Sequence, residues 1–147
     1  MFRLNFDRRS DALRHWELPD KIFFACGACH ILAYAFLERY DTLSAQALWV
    51  RPATGFTGNH IVVAYGDRIF DYHGYSNRGH FIEHTFRKAE LWWPGWEADL
   101  IPLPSDVLIS EAKSRTYDRL WLREPRQFPF DALPRARAFV ARLPAPV

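Results

Sequence analysis

The sequence of 147 residues lacks the features that mark membrane-spanning and secreted proteins. It contains no uninterrupted apolar run of about 18 residues or more, the length that a membrane-spanning helix requires. Its first residues do not follow the basic-then-apolar order of a secretory signal, and two cysteines are too few for a disulfide framework. We therefore expect a cytoplasmic protein with no membrane partner.

Internal repeats, low-complexity tracts and linker-like segments are also absent from the sequence. A chain of this length is most simply one domain, so we expect residues 1–147 to form a single folded unit. Hydrophobic residues make up 49% of the sequence and aromatic residues 16%, a composition that excludes an intrinsically disordered chain.

Lysine is scarce, since arginine supplies all but three of the nineteen basic residues. The segment 113–142 is strongly basic, with eight basic residues against three acidic ones. Such a segment can dock an acidic partner. The arginine bias, however, runs through the whole chain and favours a solvated arginine face. We do not expect nucleic acid as a partner.

Hydrophobic periodicity and turn residues predict an α+β fold. The predicted strands are 1–6, 45–50, 60–65, 68–72 and 97–103, and the predicted helices are 11–17, 27–40, 81–91, one capped by Ser105, and 131–143. The helix over 27–40 has no polar face before Glu38, which predicts burial nearly all round. We expect it to pack on an antiparallel sheet, with additional helices toward the C-terminus.

Residues 26–30 read Cys-Gly-Ala-Cys-His and hold both cysteines of the chain. They lie where an apolar stretch, 22–25, meets the predicted central helix, so Cys29 is expected at a helix N-terminus. Unpaired N–H groups and the positive end of the helix dipole stabilise a thiolate there, which lowers the pKa of the thiol. This pattern indicates a nucleophilic cysteine.

A predicted hairpin supplies a histidine and an acid to accompany the cysteine. Residues 66–67, Gly-Asp, indicate a type II′ turn between its two strands. The resulting register places His60 opposite His73, and Asp71 diagonal to His60 on the same face, because side chains alternate between faces. A carboxylate that holds a histidine, whose other nitrogen meets a thiol, is the arrangement of nucleophile, base and orienting group.

Residues 26–30 resemble the papain-type C-G-[SA]-C-[WY] signature, and they are also similar to the Gly-x-Cys helix start of bacterial transglutaminase-like proteins. In both groups the helix precedes a strand that opens with the catalytic histidine and a neighbouring strand that bears Asp or Asn. The resemblance covers residues 20–76 and implies a papain-like or transglutaminase-like fold of the small bacterial type. It implies that Cys29 is the nucleophile, His60 the base and Asp71 the orienting residue.

The activity that this resemblance implies is that of a cysteine-dependent hydrolase or acyltransferase acting on an amide, peptide or isopeptide bond. Its substrate would be a peptide or a small amide, and it would need neither a cofactor nor a metal. The spacing between His60 and Asp71 is more similar to the transglutaminase-like and small bacterial variants than to papain.

Two positions depart from the papain pattern. His30 replaces the aromatic residue after the nucleophile, and Phe23 stands where papain keeps the glutamine that donates to the oxyanion. An oxyanion would then need the backbone N–H of Cys29 and a second donor. The indole of Trp16 and the amide of Asn59 are the candidates.

Other aromatic and histidine side chains are candidates for substrate binding. Trp92, Trp93 and Trp96 cluster around a Pro-Gly pair and are either core residues or an aromatic wall beside a cleft, and core packing is the favoured interpretation. His73 is a further binding candidate because the hairpin places it opposite His60. We interpret the remaining histidines, apart from His30, as surface or packing residues (His15, His80, His84).

The same motif permits other classes of protein. Cys26 and Cys29 form a Cys-x-x-Cys pair, which is also the motif of thiol–disulfide oxidoreductases. In thioredoxin, however, more residues precede this motif than the 25 found here. The literal Cys-x-x-Cys-His motif attaches c-type haem, but the only methionine is Met1 and no secretory signal is present. Both cysteines with His60 and His73 would make four metal ligands. A catalytically silent binding domain of the same fold is the last alternative.

Overall fold

The structure is a computed structural model that describes residues 9–146, and it has an α+β fold. The helices are α1 (Arg9–Trp16), α2 (Asp20–Ala25), α3 (Cys29–Arg39), α4 (Arg78–Trp92), α5 (Glu111–Ser114) and α6 (Ala132–Arg142), with 3₁₀ turns at Asp41–Leu43, Ser105–Ile109 and Pro125–Gln127. The strands are β1 (Gln46–Pro52), β2 (His60–Tyr65), β3 (Arg68–Asp71), β4 (Gly74–Asn77) and β5 (Ala98–Leu103). The strand predicted over 1–6 lies outside the described residues.

The five strands form one antiparallel sheet in the order β4-β3-β2-β1-β5. The hairpin register is as predicted, with Tyr65 paired to Arg68 across the turn. Gly66 has a φ of +53°, which supplies the positive φ that a type II′ turn needs at its first central position. The prediction of an antiparallel sheet with Cys29 at the start of its covering helix is confirmed.

Helix α3 is the centre of the larger hydrophobic core. Its side chains pack on the face of the sheet that carries Ile61, Val63 and Phe70, and Phe36 stacks on Phe70 with ring centroids 4.2 Å apart. The opposite face is partly covered by α4, whose Phe81 packs against a smaller apolar cluster. Burial nearly all round α3 explains why its sequence has so little polar character.

Strand β4 was not predicted, because Gly74 to Asn77 read as a loop. Glycine, serine and asparagine are poor strand formers, yet β3 would otherwise present unpaired N–H and C=O groups at the sheet edge. Pairing with β4 satisfies them, with Phe70 opposite Tyr75. The side chain of Asn77 then accepts a hydrogen bond from the His80 N–H at 3.1 Å and starts α4 at Arg78, earlier than predicted.

The prediction that Ser105 caps a helix is wrong. Residues 105–109 form a 3₁₀ turn without a capping side chain, and the extended backbone at Ser110 ends it. Ser110 is the residue that caps α5, since its hydroxyl accepts the N–H of Lys113 at 3.1 Å. The extended Ser110 therefore divides one predicted helix into two short ones.

Part of the basic C-terminal segment pairs with acids from the other end of the chain. Arg135 contacts Asp20 at 2.8 Å, and Arg142 pairs with the other oxygen of that carboxylate. Arg137 reaches Glu38 on α3 at 2.6 Å. These arginines hold α6 against α2 and α3, so they act within the fold rather than as a wholly solvated face.

The structure bears on one part of the expectation that the protein has no membrane partner. None of the helices within residues 9–146 is long and apolar enough to cross a membrane.

Replacing Leu32 by alanine tests the central role of α3. Leu32 is 2% exposed in the core, so Leu32→Ala should lower the free energy of unfolding by about 2–5 kcal/mol because it leaves a cavity. Leu91→Ala is the matched control, since Leu91 is 77% exposed and also helical, and it should change stability by less than about 0.5 kcal/mol. Urea unfolding of both variants measures the difference, and equal losses would contradict the packing described.

Candidate active site

A tight connection between α2 and α3 positions Cys29. Helix α2 ends at Ala25, and Gly27 turns the chain with a φ of +100°, a conformation that favours glycine. Cys29 is then the first residue of α3, and no side chain caps this helix among the described residues. The N–H groups of its first turn are therefore left for another acceptor.

His60 and Asp71 meet at one end of the central hairpin. His60 is the first residue of β2 and Asp71 the last residue of β3, so antiparallel pairing brings both to the same end of the sheet. The first turns of α3 pack against this end, where Cys29 and Leu32 lie beside Ile61 and Asp71. Three segments distant in sequence therefore converge on one site.

The carboxylate of Asp71 holds the His60 ring. His60 Nε2 lies 3.1 Å from Asp71 Oδ2, within the predicted hydrogen-bond range. The other oxygen, Oδ1, accepts the backbone N–H of His73 at 2.9 Å, so both oxygens of this carboxylate are engaged. The Asp71 side chain is 2% exposed, which protects the interaction from solvent.

The opposite nitrogen of His60 is the one left for the cysteine. Because Nε2 is engaged with Asp71, Nδ1 is the nitrogen left to interact with the Cys29 thiol, and Cys29 and His60 shift the pKa of one another. His60 thus stands between the buried Asp71 carboxylate and the Cys29 sulfur. The predicted order of nucleophile, base and orienting group matches this geometry.

The pKa values in this chain favour an ion pair. Burial alone would raise the pKa of the Cys29 thiol, but hydrogen bonds from His30 and His60 outweigh it and lower the pKa to about 5. Burial would lower the pKa of His60, whereas its bonds to Asp71 and Cys29 raise the pKa to about 9. Burial also opposes ionisation of Asp71, yet hydrogen bonds from His60 and His73 hold its pKa well below the usual range. A thiolate and an imidazolium therefore coexist at neutral pH.

His30 is a second histidine at the same sulfur, which the sequence left undecided between the site and the core. It is 3% exposed, and its Nε2 lies 2.7 Å from the carbonyl oxygen of Arg123. Since a carbonyl only accepts, Nε2 is the donor in this bond, and the His30 side chain also interacts with Cys29 and lowers the pKa of its thiol. His30 fastens the start of α3 to the segment around Arg123.

Two cavities adjoin His60. One, of about 360 Å³, is lined by Cys29, His30 and His60 together with Arg119 and Arg123. The other, of about 440 Å³, lies between the sheet and α4, and His60 but not Cys29 is part of its lining. Of these two cavities, Cys29 therefore lines the smaller one, and His60 lines both.

Of the two predicted oxyanion donors, only Asn59 lies at the site. Its Oδ1 accepts the indole N–H of Trp49 at 2.9 Å, which leaves the amide NH₂ group to donate elsewhere. Asn59 lines both cavities next to His60. Trp16 lies outside both linings, because its ring packs on Phe23 and beneath the guanidinium of Arg135.

The three tryptophans near Pro94 do not line either cavity. Trp96 is a core residue, 4% exposed, whose indole N–H donates to the Thr57 carbonyl at 2.8 Å. Trp93 is partly buried against the same cluster, and Trp92 is 46% exposed with Lys88 above its ring. Trp93 and Trp96 are therefore packing residues, which is the interpretation that the sequence favoured. Trp92 lies at the surface instead.

Three of the remaining histidines line the larger cavity, where His73, His80 and His84 face the sheet end from β3–β4 and α4. His80 and His84 are exposed, as the interpretation as surface or packing residues expected, but their place beside the cavity was not foreseen. The signal was their spacing of four residues, which puts both on one face of a helix. His15, by contrast, is buried and packs on Phe23 as a packing residue.

The structure does not favour the alternative in which both cysteines, His60 and His73 bind a metal ion. Within residues 9–146, no three His, Cys, Asp or Glu side chains come together in a way that could hold a metal ion. Cys26 and Cys29 are both thiols, with no disulfide between them.

No family model, curated protein or solved structure shows a significant match to the chain.

Sequence reasoning missed Arg119 and Arg123 as residues of the site. They lie in the irregular segment between α5 and α6, about ninety positions after the cysteine, and no local motif marks them. Their charge was visible in the sequence, but it was interpreted as part of a solvated face.

Iodoacetamide labelling should distinguish the two cysteines. Because the pKa of Cys29 is lowered to about 5, this thiol should be alkylated at pH 6, where an ordinary thiol with a pKa of about 8.5 is almost fully protonated. Mass-spectrometric mapping of the native protein should find label on Cys29 before Cys26. Equal labelling would contradict the described ion pair.

His60→Ala should move the midpoint of Cys29 labelling upward, toward the ordinary thiol value, because the hydrogen bond and charge that lower the pKa are lost. His84→Ala is the matched control, since His84 lines the larger cavity without a described contact to the sulfur. It should leave the midpoint unchanged.

Proposed function

We propose that the protein is a cysteine-dependent hydrolase or acyltransferase that acts on an amide, peptide or isopeptide bond. The single observation that carries this proposal is the hydrogen bond from His60 to the buried carboxylate of Asp71, beside a Cys29 thiol whose pKa His60 lowers. A thiolate, a proton donor and an orienting carboxylate are the groups that covalent acyl transfer requires. The reaction needs no cofactor.

Acylation follows from the protonation states at neutral pH. The Cys29 thiolate attacks the carbonyl carbon of the substrate, and the carbonyl π electrons move to oxygen as a tetrahedral oxyanion forms. When the oxyanion collapses, the carbon–nitrogen bond breaks and His60 gives its Nδ1 proton to the departing amine. Asp71 keeps the ring oriented and stabilises its positive charge before the transfer.

Deacylation returns the site to its starting state. His60 is now neutral and accepts a proton from water or from an acceptor amine, which attacks the thioester carbonyl. Collapse of the second tetrahedral intermediate breaks the carbon–sulfur bond and releases the Cys29 thiolate beside an imidazolium. Water as the nucleophile gives hydrolysis, and an amine gives acyl transfer.

Two donors are placed to stabilise the oxyanion. The uncapped first turn of α3 offers the backbone N–H of Cys29, and Asn59 offers its amide NH₂ beside His60. Such donors act strongly because they are fixed before the charge develops. They take the place of the glutamine that donates to the oxyanion in papain-like enzymes.

The papain-like or transglutaminase-like assignment is part of the same proposal. It is supported by the chain order of Cys29, His60 and Asp71 and by a helix that begins at the cysteine and packs on an antiparallel sheet. We also propose a cytoplasmic location, because a reactive thiol persists in a reducing compartment.

Trapping the acyl-enzyme tests the proposal. Incubation with p-nitrophenyl acetate should release nitrophenolate in a burst and add one acetyl group to Cys29, detected by peptide mapping. Cys29→Ser should lose the burst, whereas the matched Cys26→Ser should keep it. A burst that survives Cys29→Ser would contradict the assignment of the nucleophile.

The pH dependence of kcat/KM should be bell-shaped. The rate should rise as pH passes about 5, where Cys29 loses its proton, and fall as pH passes about 9, where His60 loses the proton it must donate. Initial rates with an activated amide across this range measure both limits. A single rise near pH 8.5 would instead indicate an unpaired thiol.

Asp71→Asn should keep the fold and lower kcat/KM about tenfold or more, because an amide can hold the His60 ring but cannot stabilise an imidazolium as a carboxylate does. The apparent pKa of His60 should fall with it. Asp67→Asn is the matched control, since Asp67 lies exposed in the hairpin turn, and it should leave kcat/KM within about twofold.

Thiol–disulfide exchange is a second candidate function, and one observation favours it. Both cysteines are thiols, and the charges of both raise the pKa of Tyr72, after burial and Asp71. In that reaction Cys29 attacks a substrate disulfide and releases one thiol, and Cys26 then attacks Cys29 in the mixed disulfide, which releases the second thiol and leaves a Cys26–Cys29 disulfide. Rapid reduction of a disulfide substrate by wild type, lost in Cys26→Ser, would favour this function over acyl transfer.

A further inference from the structure

Arg123 extends a guanidinium over the turn that leads into the nucleophile. Its Nη2 would lie 3.6 Å from a Cβ placed on Gly27, two residues before Cys29. The guanidinium carbon lies 4.2 Å from the centroid of the Phe128 ring, so the side chain is held by an aromatic platform beneath it. The backbone carbonyl of the same residue binds His30. Arg123 is therefore fixed at two points next to the sulfur.

This cation has no acid to balance it in the described part of the chain. None of the ion pairs among residues 9–146 includes Arg123, although nine other arginines there are paired. Burial lowers the pKa of Arg123, and its positive charge helps to lower the pKa of nearby His15. A partly buried charge is costly unless an anion approaches it.

The cavity beside Cys29 offers such an anion a place. Arg119 joins Arg123 in its lining, held by a hydrogen bond from Nη1 to the Pro52 carbonyl at 2.9 Å. No acidic side chain among the described residues lines either cavity that adjoins His60. A carboxylate entering here meets two guanidinium groups, of which Arg119 also pairs with Asp118 at 3.8 Å and Arg123 has no acidic partner among the described residues.

The acyl part of the substrate and its departing amine lie in different cavities. Of the two cavities that adjoin His60, Cys29 lines the one that Arg123 also lines, so the group that becomes bonded to sulfur lies there. His60 also reaches the larger cavity, which is where a departing amine can take its proton. The anion recognised by Arg123 therefore belongs to the acyl part of the substrate.

We propose that Arg123 forms a carboxylate subsite beside Cys29, and that the acyl group transferred carries a carboxylate within a few bonds of the reacting carbonyl. A succinyl-type or acidic aminoacyl group has this chemistry. The inference rests on the proposed function, since it names the substrate class of the same cysteine. Arginine suits the role because its planar fork binds a carboxylate through two N–H groups.

Alkylation by two reagents of similar size tests the subsite. Iodoacetate carries the carboxylate and iodoacetamide does not, and both rates at Cys29 are divided by their rates with 2-mercaptoethanol. For wild type, the normalised rate with iodoacetate should exceed the normalised rate with iodoacetamide about tenfold or more. Arg123→Gln should lose most of that preference, which is a ratio of two rates measured on the same variant. Arg126→Gln, at an exposed arginine with only a long contact to Asp131, is the matched control and should keep the preference.

Two further measurements keep the test decisive if Arg123→Gln does not fold. Succinate should slow alkylation of wild-type Cys29 by iodoacetamide in a saturable way, and acetamide at the same concentration should not. Mono-p-nitrophenyl succinate should acylate Cys29 faster than p-nitrophenyl butanoate, relative to their uncatalysed rates. Absence of both effects in wild type would overturn the subsite.

The outcomes separate the subsite from the proposed function. If neither reagent reacts faster with Cys29 than with Cys26, the proposed function fails. If iodoacetamide selects Cys29 at low pH but Arg123→Gln leaves the preference for iodoacetate unchanged, the nucleophile stands and the carboxylate subsite is wrong.

Discussion

The hydrogen bond between His60 and Asp71 is the interaction on which the rest of the site depends. It exists because the hairpin register brings the first residue of β2 and the last residue of β3 to one end of the sheet. Once Nε2 is held there, Nδ1 is the nitrogen that reaches Cys29. The pKa of the cysteine, the protonation of the histidine and the direction of proton transfer all follow from that orientation.

Burial opposes the ionisation of Cys29, His60 and Asp71, and their interactions with one another outweigh the effect of burial. For each of the three ionised groups, removal from water favours the neutral form, and contacts with the other groups restore the charge. Such a chain is sensitive to the loss of any member, since the partners left behind are buried charges without compensation. The site is therefore electrostatically interdependent, with His60 carrying the central charge.

Local patterns were sufficient to predict the elements that carry the candidate site. The hairpin turn, the strand over 60–65 and the helix start at Cys29 are set by neighbouring residues, so the sequence predicted them and the His60–Asp71 contact. Strand β4 was missed because it forms by completing a sheet edge rather than by its own propensity. Arg123 was missed because its position depends on packing between segments that no short window contains. His30 was ambiguous for the same reason.

The bond from His30 to the Arg123 carbonyl spans 93 residues of sequence, and the clamp of Arg135 on the Trp16 carbonyl spans 119. Contacts of such long range close large loops, and they form only when most of the chain has already been ordered. The low pKa of the cysteine is thus a property of the finished fold. A nascent or partly unfolded chain carries only ordinary thiols, so the protein acquires its reactivity at the moment when it can also control access to it.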